Sequence, residues 1–105
     1  MARFDVYANT GAHAHTTPYL LDVQSPLLDG LGTRVVIPLR SLRHFPAVQR
    51  PDRLTPVLNI HGEDFLLETP KLAAVPLRVL KAPVASLTER QADITAALDF
   101  LFQGY

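Results

Sequence analysis

Ser86–Tyr105, reading SLTERQADITAALDFLFQGY, holds the one long helical pattern in this sequence. Ile94, Ala97, Leu98, Leu101 and Phe102 recur at steps of three and four, which puts them on one stripe of a 3.6-residue helix. Arg90, Asp93 and Asp99 fall on the rest of the surface, so the helix is amphipathic and has a face to bury. Thr88 and Gln91 are spaced for a capping box, with Leu87 as a hydrophobic staple ahead of it, and this predicts a start near Thr88. Gly104 suits the left-handed residue that stops a helix, and Tyr105 follows it. An aromatic ring and a free carboxylate at the tip of a packed helix are either a docked terminus or a probe offered to a partner.

Nothing upstream is helical, so whatever that apolar stripe covers has to be built from strands. Arg3–Tyr7 alternates polar and apolar and sends Phe4 and Val6 to one face. Asn9–Pro18 is small and polar and reads as a flexible hairpin loop; its His13 and His15 lack a third metal ligand nearby and are read as loop residues. Tyr19–Val23 is a returning strand, and Gln24–Gly32 breaks it with Pro26, Asp29, Gly30 and Gly32. The break carries Leu27 and Leu28, which either pack onto the core or mark a contact surface. Thr33–Leu39 has the branched side chains of a buried strand, with Pro38 placing it at an edge or a bend. Arg40–Pro56, interrupted by Pro46, Pro51 and Pro56, is a surface crossing. Val57–Ile60 and Phe65–Glu68 flank a hairpin turn at His61–Asp64, and Leu72–Leu80 is a strand bent by Pro76, linked by Ala82–Ala85 to the helix. The sum is a mainly β or α+β chain: a small SH3-like antiparallel barrel with a C-terminal helix, one domain over 1–105.

With 105 residues the chain can bury about 65% of the surface its unfolded form exposes. Ten basic and ten acidic side chains cancel, which disfavours non-specific nucleic-acid binding, and no direct sequence-specific nucleic-acid binding is expected. The charges are uneven: Arg34, Arg40, Arg43, Arg50 and Arg53 stand against Asp52 alone, a solvated arginine-rich surface or a site for an acidic partner. Without cysteine there is neither disulfide nor thiolate chemistry. The opening MARFDVYANT lacks the apolar core of a signal peptide, and no apolar run approaches membrane-spanning length, so a cytoplasmic protein without membrane contact is expected. The glycine-rich phosphate loop, HExxH, GxSxG, Cys–His pairs and EF-hand loops are all missing. Glu63 and Asp64 sit together on a turn facing water, a poor setting for acid and base work. A metal-free nuclease built on arginine with His44 or His61 is chemically conceivable. The residues by themselves favour a binding module with no catalytic residue, metal site or cofactor.

Three blocks, YLLDVQSPLLDGLGTRVVIPL, VLNIHGEDFLLETPKLAAVPLRVL and ASLTERQADITAALDFLFQGY, resemble in order and nearly without gaps the CcdB toxins of bacterial toxin–antitoxin modules. The most telling pieces are Asp22-Val23-Gln24-Ser25, Arg34-Val35-Val36-Ile37-Pro38-Leu39 and Val75-Pro76. The resemblance implies a homodimer of SH3-like barrels that binds the dimerisation region of the DNA gyrase A subunit, traps gyrase on cleaved DNA, and is neutralised by a partly disordered CcdA-type antitoxin. Carried over residue by residue, it places gyrase contacts on Leu27 and Leu28, on Gln91, Thr95 and Asp99, and on Gln103, Gly104 and Tyr105. It assigns Phe102 to the dimer contact. Antitoxin contacts fall on the first hairpin loop at Asn9, Thr10, Gly11, His13 and His15, and on the crossing at Arg43 and His44.

The departure from the family is at the end of the chain. The best-known family ending is Trp-Gly-Ile, and here it is Gln103-Gly104-Tyr105. A glutamine amide has no π face, and a cation–π contact with a gyrase arginine, worth about 0.5–2 kcal/mol, is lost. Tyr105 is expected to supply the ring from two residues further on. Two other expectations stand beside gyrase poisoning. One is an endoribonuclease on the same barrel, using Arg40 and His44, by analogy of fold alone. The other is a non-toxic homologue that still captures an antitoxin.

Overall fold

The computed structural model describes residues 2–28, 30–44 and 53–105. Asp29, Pro46, Arg50, Pro51 and Asp52 therefore lie outside the described residues, and of His44 only the backbone is described. The strands are β1 (Asp5–Ala8), β2 (Tyr19–Asp22), β3 (Thr33–Ser41), β4 (Val57–Ile60), β5 (Glu63–Leu67), β6 (Ala73–Pro76) and β7 (Ala85–Ser86), and the helix is α1 (Gln91–Gln103). They form a 7-stranded antiparallel sheet in the order β4-β5-β3-β2-β1-β7, with β6 also paired to β3. The sheet curls into a nearly closed barrel packed by the single helix, the small SH3-like architecture expected from the strand and helix patterns.

β3 is the organising strand. It pairs with β2 along one edge, and along the other with β6 up to Val36 and with β5 from Leu39. Ile37 and Leu39 enter the main core with Val6, Leu21, Leu58, Phe65 and Leu67, while Val36 joins Tyr7 and Leu80 on the opposite face. Burial on both faces explains the unbroken branched run, which a half-exposed strand would not show. Pro38 was expected to mark an edge or a bend, and β3 proves to be central. Its proline is tolerated because it stands in the gap where the second edge changes partner, so no ladder bond needs its missing amide. The Pro38 carbonyl still accepts from the Glu68 amide at 2.9 Å.

Several connections are tighter than the sequence pattern predicts. The β4–β5 hairpin closes in two residues: Ile60 pairs with Glu63, and His61 and Gly62 take φ of 54° and 86°. Both φ values are positive, the geometry of a type I′ turn, whose twist matches the strands it joins. Glu63 and Asp64 thus belong to β5, not to the turn. The Leu72–Leu80 strand is cut short: β6 ends at Pro76 and Leu77–Val79 form a 3₁₀ turn, with the Leu77 amide donating to Gly32 O at 3.1 Å. The β1–β2 connection, expected to be flexible, is hydrogen-bonded along its length. Asn9 Nδ2 donates to Thr17 O at 2.8 Å, Asn9 Oδ1 accepts from the Gly11 amide at 3.0 Å, and the Ser41 amide reaches across to Thr16 O at 2.9 Å. Asparagine here replaces ladder partners with its own side chain.

The ends of the sheet are joined by side chains. His61 Nε2 lies 3.1 Å from Val84 O, just ahead of β7, and Arg90 Nη2 donates to Val57 O of β4 at 3.4 Å. At the other end of β1, Phe4 holds φ of 73°, a costly conformation for a bulky residue. It is over-determined by burial, by its amide on Asp22 O at 2.7 Å and by its carbonyl accepting from Leu87 N at 2.9 Å.

The capping box does not form. Thr88–Arg90 make a 3₁₀ turn, the α-helix begins at Gln91 with Arg90 in the cap position, and no side chain caps it. Thr88 is engaged elsewhere, its hydroxyl 2.9 Å from Ser86 Oγ, and Leu87 is buried in the barrel core as part of the wall it was expected only to staple. The stop is as predicted: Gly104 is left-handed and its amide donates to Phe100 O at 3.0 Å. Ile94 and Ala97 are fully buried and Leu98 packs against them, whereas Leu101 is half-buried and Phe102 is 69% exposed. The apolar stripe outruns the core it covers.

Candidate functional site

Large apolar side chains left exposed among the described residues are Leu27, Leu28, Leu31, Val84, Phe102 and Tyr105. Three of the six sit on the β2–β3 connection, and two at the end of α1. The connection turns through a short 3₁₀ segment, Pro26–Leu28, in which no residue is buried; Leu27 is 92% exposed and Leu31, which the sequence reading passed over, 50%. An apolar bend with no buried residue is a candidate contact surface.

The bend grows out of a polar cluster sealed inside the protein. Asp22, the last residue of β2, and Arg34, early in β3, are both fully buried and face each other across the bend. Arg34 Nε donates to Asp22 Oδ2 at 3.0 Å, and Nη2 donates to Asp22 Oδ1 at 2.9 Å and to Gln24 O at 3.1 Å. A guanidinium fork on a carboxylate satisfies both charges in geometry that only arginine supplies. Arg34 was expected on an arginine-rich surface, and that expectation is overturned. The missed signal was its position inside TRVVIPL, a strand buried on both faces, where a charged side chain is enclosed whichever way it points.

The residues singled out on the helix fall on a single exposed row. Gln91, Thr95, Asp99 and Gln103 are spaced at i, i+4, i+8 and i+12 and all face solvent, opposite Ile94 and Ala97. Twelve steps of helix carry that row about 18 Å along the surface. Gly104 then turns the backbone and Tyr105 ends 72% exposed. The row and the bend sit on different elements, and the opposite face of the helix packs into the main core through Ile94 and Ala97.

A second surface opens beside the β1–β2 connection. Asn9, His13, Thr16 and Thr17 line a cleft of about 320 Å³ whose other wall carries Arg40, Glu68 and Lys71. A neighbouring cleft of about 230 Å³ takes Thr10 and Gly11 against Val75, Pro76 and Val79. The two share Asn9 and Leu20, the first carrying charged side chains and the second mainly apolar ones. Four residues of the first-loop group, Asn9, Thr10, Gly11 and His13, are brought together here. His15 is exposed but lines neither cleft, and Arg43 lies apart, its guanidinium 2.7 Å from Glu63. Arg40 and Lys71 both approach Glu68 Oε2, at 3.4 and 3.2 Å. Arg53 stacks over Phe100 of α1, with 5.4 Å from its guanidinium carbon to the ring centroid. The described arginines of that stretch, Arg34, Arg40, Arg43 and Arg53, are thus distributed among a buried pair, surface ion pairs and a helix contact. Among the described residues no three His, Cys, Asp or Glu side chains stand together as a metal would need, and no helix is long and apolar enough to cross a membrane.

Fold and surfaces together define a small antiparallel barrel with one C-terminal helix, with five of the six large apolar side chains exposed among the described residues on a bend and a helix tip. A family model described as CcdB protein matches residues 3–104, nearly the whole chain, and the chain belongs to the CcdB family, toxins of toxin–antitoxin modules.

Proposed function

We propose that this chain is a gyrase poison: as a cytoplasmic homodimer it binds the A subunit of DNA gyrase, holds the enzyme on cleaved DNA, and breaks no covalent bond itself. The observation that carries this reading is the exposed row Gln91, Thr95, Asp99 and Gln103 leading to Tyr105, with the unpacked Leu27 and Leu28 as the second contact. Such a surface has polar groups for register and apolar groups for affinity, the composition of a protein-binding patch. Phe102, exposed on the same helix, is assigned to the contact with the second copy, where its ring would leave water. Tyr105 takes the role of the aromatic ring absent at position 103. A CcdA-type antitoxin occupies the two clefts lined by Asn9, Thr10, Gly11 and His13 and extends to His15, Arg43 and His44.

Induced expression in a sensitive host, followed by selection of survivors, tests the target. Growth arrest with resistance lesions in the gyrase A gene supports the proposal. Resistance that maps elsewhere, or RNA cut by the purified protein, points to the endoribonuclease reading instead. Normal growth identifies an antitoxin-binding homologue without toxicity.

A further inference from the structure

Neither partner reading explains how a bend with no buried residue keeps a defined shape. No residue of Pro26–Leu28 is buried, so hydrogen bonds take a large share in holding it. One is local, Leu28 N donating to Ser25 O at 3.0 Å, and the one that ties the bend back to the sheet comes from Gln24, which is only 7% exposed. Its backbone amide donates to Asp22 Oδ1 at 3.0 Å and its carbonyl accepts from Arg34 Nη2 at 3.1 Å, which fastens it to the buried ion pair. Its side chain spans the gap to the bend: Oε1 accepts from the Val35 amide at 3.0 Å, and Nε2 donates to Leu28 O at 3.1 Å. Only one orientation of the amide satisfies both neighbours, since one is a donor and the other an acceptor. The Leu28 carbonyl also accepts from Leu31 N at 3.2 Å, so that one oxygen joins the anchor to both ends of the apolar tip. Leu27 is held more locally, its amide donating to Ser25 Oγ at 3.2 Å.

We infer that Gln24 is a positioning residue: it transfers the rigidity of the Asp22–Arg34 pair to the β2–β3 bend and presents Leu27 and Leu28 to the partner already shaped. This rests on the reading that the bend touches gyrase. The benefit is a smaller ordering cost on binding, because a loop fixed before contact loses less conformational freedom when it docks. The side chain required is narrowly defined. Glutamate keeps an acceptor for Val35 but loses the donor for Leu28, methionine fills the space with neither, and asparagine is one carbon too short to span the gap.

The test uses the full chain carrying Gln24→Glu, Gln24→Met, Leu27→Ala and each Gln24 change combined with Leu27→Ala. Affinity for purified gyrase A subunit is read by titration calorimetry, and amide exchange is read residue by residue. Gln24→Glu is expected to weaken binding about five- to tenfold, the scale of one well-placed hydrogen bond. The Leu28 and Leu31 amides should exchange faster while those of Leu21, Ile37 and Leu39 stay protected. In the Leu27→Ala background the same change should move affinity less than about twofold, because it acts through the bend. If Gln24→Glu destabilises the whole barrel, Gln24→Met is judged by the same readings. Unchanged affinity in a Gln24 variant when Leu27→Ala weakens binding overturns the role of Gln24 alone. Core and bend amides accelerating together in both variants also overturns it, since Gln24 would then be a stability residue. If Leu27→Ala itself has no effect, the gyrase contact at the bend is overturned instead.

Discussion

Replacing Arg34 by methionine removes one half of the buried pair and leaves the Asp22 carboxylate, fully enclosed, with the Gln24 amide at 3.0 Å as its described side-chain contact. Removing one partner of a buried ion pair costs about 3–5 kcal/mol, because the remaining charge keeps its desolvation penalty and loses its compensation. For a domain of this size each kcal/mol moves Tm by about 4–8 °C, so Arg34→Met should lower it by about 12–40 °C. The double variant Arg34→Met with Asp22→Leu removes both charges and should recover most of that loss. Recovery will be incomplete: the Gln24 amide and carbonyl lose their partners, which costs about 2 kcal/mol in all. The cycle therefore predicts a coupling of at least about 2 kcal/mol between the two positions. The chain has no tryptophan and three tyrosines, so urea unfolding is best followed by far-ultraviolet circular dichroism with tyrosine emission as the second probe. An Arg34→Met cost below about 1 kcal/mol, or strict additivity of the two single changes, would refute the claim that this pair is the rigid base of the bend.

Ile94 is fully buried against the barrel, and Ile94→Ala should cost about 2–4 kcal/mol in the same urea assay; a loss under about 1 kcal/mol would mean that the helix is not what covers the core. Gly62 holds φ of 86° in the β4–β5 turn with open space around it, so Gly62→Ala should cost about 1 kcal/mol through backbone strain alone, and an unchanged melting temperature would contradict the turn geometry. Antitoxin binding should weaken about three- to tenfold from low to high salt, a modest slope, because Arg34 is buried and Arg40 and Arg43 already face Glu68 and Glu63; affinity flat across that range would remove the surface arginines from the antitoxin contact.

The architecture was readable because its periodicities are clean. Period two in the strands and period 3.6 in the helix gave a terminal helix on a small curled sheet, and Gly104 marked the stop. What escaped reading were features that depend on pairing across the sheet. Pro38 looks like an edge marker in isolation and becomes harmless only where β3 exchanges β6 for β5. Arg34 counts as a surface charge until β2 brings Asp22 opposite it. Thr88 and Gln91 match a capping box, but Ser86 competes for the Thr88 hydroxyl. On the candidate site, Leu27, Phe102, Tyr105 and the row on α1 are exposed, while the role of Gln24 had no sign in the sequence beyond its place in Asp22-Val23-Gln24-Ser25. A buried glutamine bridging a strand amide and a loop carbonyl leaves no periodic trace.

The most direct measurement is gyrase-dependent DNA cleavage in the presence of the full chain and of a chain lacking Gln103, Gly104 and Tyr105. None of these three residues is buried, so the shortened protein should keep the barrel's melting temperature within about 3 °C. Accumulation of cleaved DNA with the full chain and its loss with the shortened one is the predicted result. Equal trapping by both, with the barrel intact, would contradict the claim that this toxin acts through its helix tip.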